Sequence, residues 1–211
     1  SGYAGQKCSA CSRVIVHRII YDSFVSRLRE AVLSLDIGHP SRPGTRVGPV
    51  IDARAQATIQ RYISLGLEEG QLLVQRTVDQ PGYFVGPTVF VDIQPHHRVA
   101  QEEIFGPVLS VMKADSFADA IRLANETEYA LTGGVYARSP ANLAMAREHF
   151  DVGNLYVNRP ITGALVSRQP FGGHRFSGVG AKTGGEDYLA QFMITRVISE
   201  NTLRRGFESI Q

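Results

Sequence analysis

Two hydrophobic periods alternate along this chain, and that alternation limits its fold more than any other feature. "RVIVH" (13–17) is a β-branched run and reads as a buried strand; "YDSFVSRLREAVLSL" (21–35) then places Phe24, Leu28, Ala31, Val32 and Leu35 on one helical face. The Gly- and Pro-rich "DIGHPSRPGTRVGPVI" reads as a loop. Asp52 is placed to cap a second helix through Glu69, with Ile59, Ile63 and Leu67 inward and Gly70 as its stop. "QLLVQ" (71–75), "YFVGPTVFVDI" (83–93, with a Gly-Pro break) and "PVLSVMKA" (107–114) follow as strands. Next come a capped helix "SFADAIRLANET" (116–127), a bent strand "LTGGVYA" (131–137), a helix "SPANLAMAREHF" (139–150) with Ser139 as cap, and a strand "GNLYVN" (153–158). Such an order predicts an α/β sandwich with a mainly parallel sheet. The 13 residues "PITGALVSRQPFG" (160–172) follow neither period, and a long irregular loop in a compact domain is usually either functional or misassigned.

Composition narrows the function classes. A formal charge of +2, with Lys and Arg scattered, gives no electrostatic footprint for nucleic acid. No apolar run approaches the roughly 20 residues that span a bilayer, so no membrane partner is expected. Two cysteines cannot staple a domain of 211 residues, which favours a reducing compartment and a cytoplasmic location. Ser1 is not a Met, and "SGYAGQKCSACSR" reads like the interior of something longer; a fragment is expected.

Both cysteines, Cys8 and Cys11, stand in "GQKCSACSR" as C-x-x-C. A structural zinc site needs four ligands, and one pair without a spaced His partner does not supply them. A thioredoxin-like pair would follow a strand, which is missing here. Both could be buried small hydrophobes, as free cysteines commonly are. Alternatively Cys8 is a nucleophile: small residues around it could start a helix, whose positive end favours thiolate. Cys11, one turn further on, would then pack inward.

Three further stretches, "QEEIFGPVLSV" (101–111), "NLYVNR" (154–159) and "QPFGGHRFSG" (169–178), follow "GQKCSACSR" in an order that resembles the aldehyde dehydrogenase superfamily over essentially the whole chain. "GQKCSACSR", "TGALVSRQPFGG" and "KTGGEDYL" most resemble its 1-pyrroline-5-carboxylate (glutamate-semialdehyde) dehydrogenases, which act in proline breakdown. The resemblance implies a three-layer α/β/α catalytic domain over residues 1–192 and an oligomerisation strand within 193–211, hence a homo-oligomer. It also implies a small aldehyde substrate and NAD as cofactor, with NADP left open. Cys8 becomes the nucleophile that attacks the aldehyde carbon; hydride leaves to the cofactor and water hydrolyses the thioester. Glu103 matches the carboxylate that binds the nicotinamide ribose, and Phe105 the aromatic beside the nicotinamide. The backbone N–H groups of Gly163 and Ala164, with the Ser9 hydroxyl, would hold the substrate's α-carboxylate, and Phe171 would wall its aliphatic part.

Two elements of that family have no match here. Neither the glutamate segment that activates water nor a Gly-rich strand–turn–helix for the pyrophosphate is found. The expectation is therefore a catalytic-domain fragment whose partner is a missing N-terminal NAD-binding domain. Alone, it should bind NAD weakly and not turn over aldehyde.

Overall fold

Four strands, β1 (Arg13–His17), β2 (Gln71–Gln75), β3 (Thr88–Val91) and β4 (Val108–Ala114), form one sheet in the order β1-β4-β3-β2. The coordinates are a computed structural model and describe residues 2–165 and 167–202. β4 runs parallel to both β1 and β3, and β2 closes one edge antiparallel. Side chains alternate across a strand, so Val89 and Val91 face one side and Phe90 the other. Helix α1 (Tyr21–Leu33) covers the first side with Tyr21 and Val32, against Val16, Val74 and Val111. Helix α2 (Ala53–Glu69) covers the second with Ile59 and Ile63, against Phe90, Val108 and Met112. Helices on both faces of a mainly parallel sheet give the three-layer α/β/α sandwich.

Local chemistry sets the ends of α2. Asp52 accepts from the Ala55 N–H at 2.7 Å and satisfies one orphan donor of the first turn, a cap worth about 1 kcal/mol. One inward residue differs from expectation: Leu67 is exposed, and Tyr62 and Gly66 take the buried face with Ile59 and Ile63. The cause is Gly66, where the helix comes so close to the sheet that a Cβ would enter the Phe90 ring. Strand β3 starts only at Thr88. Before it, Pro87 has no N–H for a ladder and Gly86 lies against the Arg76 carbonyl, where a side chain cannot fit.

Helix α4 (Phe117–Asn125), capped by the Ser116 hydroxyl, lies against β1 and β4 and leads into a second, smaller region. There β5 (Tyr129–Ala130), β6 (Thr132–Val135), α5 (Pro140–His149), β7 (Asn154–Val157) and β8 (His174–Arg175) follow in chain order. β6 pairs parallel with β7, and β5 antiparallel with β8. Its core is Ile121, Val135 and Ala146, with Phe150, Leu155 and Val157 half-buried around them. One short helix between β3 and β4, α3 (Arg98–Gln101), carries no hydrophobic period long enough to announce it.

The described part of the tail, 193–202, is exposed. It starts extended at Met193 (φ −114°, ψ 148°). The rest of the expected oligomerisation strand, 203–211, lies outside the described residues.

Candidate active site

The loop that bears Cys8 is fixed from both sides. Gly5 has φ +79°, and a Cβ there would collide with the Gly106 carbonyl. Only glycine allows this approach, so "GQKC" and "EIFGP" meet backbone to backbone. Ala4 is buried in the core beneath α2 despite φ +53°. The Gln6 side chain accepts from the Ile51 N–H at 3.0 Å and ties the loop to the segment that opens α2. Lys7 then accepts from the Ala10 N–H at 2.9 Å, closing a turn around Cys8 and Ser9.

No helix begins at Cys8. The chain is drawn into the sheet within a few residues, where Ser12 O accepts from the Ser110 N–H at 2.9 Å, and this leaves no length for a helical turn. A thiolate-favouring helix dipole is therefore absent at this position. Cys8 is exposed and free. Cys11 is not the packed core thiol expected, since it too is exposed. Its Sγ donates to the Arg13 carbonyl at 3.4 Å, and desolvation pushes its pKa up, with the Arg13 bond and the Arg13 charge among the opposing effects. Solvent touches Cys11, so a reagent can reach it; protein mass around the thiol makes it reluctant to ionise.

Glu103 and Phe105 follow α3, whose position is set by carboxylates. Glu69, at the end of α2, accepts from the Arg98 and Val99 N–H groups at 3.0 and 3.1 Å, satisfying orphan donors at the start of α3. Glu102 accepts from Tyr62 Oη at 2.6 Å and from Arg98 Nε and Nη2 at 2.7 and 3.1 Å. The Arg98 bond and then the Tyr62 bond hold the Glu102 carboxyl below its ordinary range. Its neighbour Glu103 is exposed and, among the described residues, has no hydrogen-bond or ion-pair partner. One carboxylate of the pair is thus spent on structure and the other left available. Phe105 is 46% exposed with φ +55°, so its ring is a surface and not core filling. An exposed acceptor carboxylate beside an exposed ring suits a ribose diol and a flat heteroaromatic, and Glu103 and Phe105 would be the residues here to hold such a cofactor.

The run 160–172 belongs to the second region. Asn154 in β7 clamps it with both ends of its amide, donating to Pro170 O at 2.9 Å and accepting from the Gly172 N–H at 3.2 Å. Phe171, half-buried, exchanges both backbone bonds with Thr183 at 2.9 and 3.0 Å. Lys182 donates to the Gly153 carbonyl. Gly163 has φ +88° and is exposed, and among the described residues the N–H groups of Gly163 and Ala164 donate to nothing. Ser9 is half-buried, and its hydroxyl likewise has no partner among the described residues. The structure thus joins Cys8 and Ser9 to the Glu103–Phe105 segment through Gly5. Among the described residues, no direct hydrogen bond connects that pair of loops to Gly163, Ala164 or Phe171. Gln6, Glu69, Tyr62, Glu102 and Asn154 were missed by sequence reasoning; each is an ordinary polar residue whose partner is distant in sequence.

Fold and site define an α/β domain that presents a free thiol on a glycine-fixed loop against an exposed acid–aromatic segment. The chain belongs to the aldehyde dehydrogenase family, whose family model matches residues 1–198. It is 49% identical over 200 residues to 1-pyrroline-5-carboxylate dehydrogenase of Geobacillus kaustophilus, covering 94% of this chain and 39% of that protein. Among solved structures it matches proline utilization A of Bdellovibrio bacteriovorus inactivated by N-propargylglycine (TM-score 0.93, 49% identity, 99% of this chain and 22% of that one). It also matches 1-pyrroline-5-carboxylate dehydrogenase from Thermus with bound NAD (TM-score 0.86, 48% identity, 90% of this chain and 37% of that one). The chain spans about 39% of the length of the curated relatives it matches.

Proposed function

We propose that the protein containing this chain is an NAD-dependent 1-pyrroline-5-carboxylate dehydrogenase that oxidises glutamate semialdehyde to glutamate in proline catabolism. The observation that carries this reading is the 49% identity, across nearly the whole chain, to proteins of that name. A structural neighbour of the same name with bound NAD supports the cofactor. Residues 1–192 form the nucleophile-bearing domain, 193–211 the tail, and the NAD-binding domain is the intramolecular partner.

Cys8 is the nucleophile, and its exposed position on a pinned loop supports this. Sulfur attacks the aldehyde carbon, and the carbonyl oxygen takes the bond's electron pair as an oxyanion. Fixed N–H donors stabilise such a charge, and the Cys8 backbone amide is one candidate. Bound NAD supplies the hydride acceptor. Loss of hydride from the thiohemiacetal carbon leaves a thioester on Cys8, which water cleaves to release the acid. Glu103 and Phe105 hold and orient the cofactor. The N–H groups of Gly163 and Ala164 and the Ser9 hydroxyl take the substrate carboxylate, with Phe171 beside its methylenes.

The tail supports a homo-oligomer reading: Phe192, Met193, Ile194, Val197 and Ile198 are 68–96% exposed, an apolar row that a second subunit's sheet edge would cover. Two free cysteines support a reducing, cytoplasmic setting.

The test follows NADH formation by the full-length protein with pyrroline-5-carboxylate and with propanal, with Cys8→Ser as control. A strong preference for the former, lost in the variant, is expected. Equal activity with propanal removes the carboxylate anchor, and activity that survives in Cys8→Ser removes the nucleophile.

A further inference from the structure

Helix α4 ends without the glycine that commonly closes a C-terminus; Asn125 is its last residue, and Glu126 and Thr127 follow. Leu123 O and Asn125 O accept from the Glu126 and Thr127 N–H groups at 3.3 and 2.9 Å; the carbonyls there have room for further donors and carry the negative end of the helix dipole. Three separate stretches supply them. Arg13 Nη1 reaches Leu123 O and Glu126 O at 3.5 and 3.4 Å, and Nη2 reaches Ala124 O at 3.0 Å. Gln101 Nε2 reaches Glu126 O at 2.8 Å. Arg175 Nη1 reaches Asn125 O and Thr127 O at 2.9 and 2.6 Å. Five consecutive carbonyls, 123–127, are therefore each bonded by a side chain from outside the helix.

The three donors are not random surface residues. Arg13 starts β1, five residues after Cys8; Gln101 ends α3, two before Glu103; Arg175 lies in β8, four after Phe171. Capping a helix requires only one cation near its end. A planar fork that spans three carbonyls fixes direction as well, which a lysine point charge cannot do. Burial also lowers the Arg13 pKa, so this guanidinium is partly withdrawn from water and committed to those carbonyls.

We propose that the C-terminal end of α4 is the junction that sets the Cys8 loop, the Glu103 segment and the Phe171 loop relative to one another, with Arg13 the positioning residue for Cys8 and Gln101 that for Glu103. It is through this helix end that the second region, which among the described residues makes no direct hydrogen bond to the thiol loop, is registered against it. The catalytic side of the proposal rests on the dehydrogenase reading above; the junction itself does not.

The experiment uses the full-length protein and three variants, Arg13→Met, Arg13→Lys and Gln101→Met, read by amide hydrogen exchange, melting temperature and steady-state kinetics. In Arg13→Met, exchange over residues 6–12 should quicken about tenfold or more while β3 and α2 hold theirs. Its kcat should fall by up to about 100-fold, the size of effect that a small misplacement produces, with KM for NAD nearly unchanged. Gln101→Met should show the reverse split: faster exchange over 102–105 and a raised KM for NAD at nearly constant kcat. Arg13→Lys should keep the melting temperature of the parent and still lose kcat. Uniform loss of protection, melting temperature and both kinetic constants in every variant would make these residues ordinary structural supports and overturn the proposal, as would unchanged exchange over 6–12. If the parent oxidises no aldehyde, the dehydrogenase reading falls, and the exchange pattern still decides for or against the junction.

Discussion

The sheet region and the smaller region around β6 and β7 are held together by different means. In the first, apolar faces of four strands are sealed on both sides, with Phe90, Ile59, Met112 and Val111 essentially without solvent contact. In the second, Ile121, Val135 and Ala146 form a small core, and the long loops beyond β7 are held mainly by polar clamps: Asn154 on Pro170 and Gly172, Lys182 on Gly153, Asp151 on His174 and Arg175. Burial is insensitive to direction, so it suits a platform; hydrogen bonds are directional and suit a loop whose backbone must keep a fixed orientation. The thiol loop lies on the platform side and borrows its rigidity through Ala4 and Gly5.

The contrast can be broken or sharpened by substitution. Phe90→Ala, at 0% exposure between α2 and β4, should cost about 3–5 kcal/mol in a denaturant titration. Leu155→Ala, only half-buried in the smaller region, should cost clearly less than the 2–5 kcal/mol typical of core leucines, about 1–2 kcal/mol. Equal costs would mean that the second core is as well sealed as the first.

Gly5→Ala tests the join between thiol loop and platform. A Cβ at φ +79° against the Gly106 carbonyl forces the loop away, and backbone strain of this kind costs about 1–3 kcal/mol. The alkylation rate of Cys8 should change with it, while that of Cys11 stays nearly constant. An unaltered Cys8 rate would show that the loop is not held at this point.

The polar clamp should show itself through pH. The Arg175 bond, against some desolvation and with the His174 bond added, lowers the Asp151 pKa below its unfolded value. A depressed carboxyl contributes stability that is present above the unfolded pKa and lost as pH falls through the folded one. Asp151→Asn should therefore matter at neutral pH and cease to matter in acid. Because Asp151 is 52% exposed, the effect should stay under about 1 kcal/mol and shrink in salt. A pH-independent difference would assign the clamp to packing. Smallest of all, Tyr156→Phe in β7 should be neutral or slightly stabilising. The buried Tyr156 hydroxyl has no hydrogen-bond partner among the described residues, and removing an unsatisfied group recovers its desolvation cost. A clear loss of stability would reveal a partner for that hydroxyl.

What could be read from the sequence was local or periodic. The α/β class, the cap at Asp52, the cap at Ser139, and the strands at 13–17 and 71–75 all follow from rules that act within a few residues. Cys8, Glu103 and the backbone of 163–164 were singled out only because the family resemblance lent them a context; spacing alone left the C-x-x-C pair open. Tertiary structure decided the rest. Leu67 faces out because Gly66 must meet Phe90, and Cys8 sits in a turn and not at a helix start because the sheet claims Ser12. Glu102 and Glu103 are identical neighbours in sequence, yet one is bound to Tyr62 and Arg98 and the other has no polar partner among the described residues. The alternation of periods determined which segments are strands and helices, since that needs only the chain's own polarity. Which carboxylate is bound, which loop is pinned and which helix end is capped depended on distant partners, 111 residues apart in the case of Arg13 and Ala124, and no local rule carries that information.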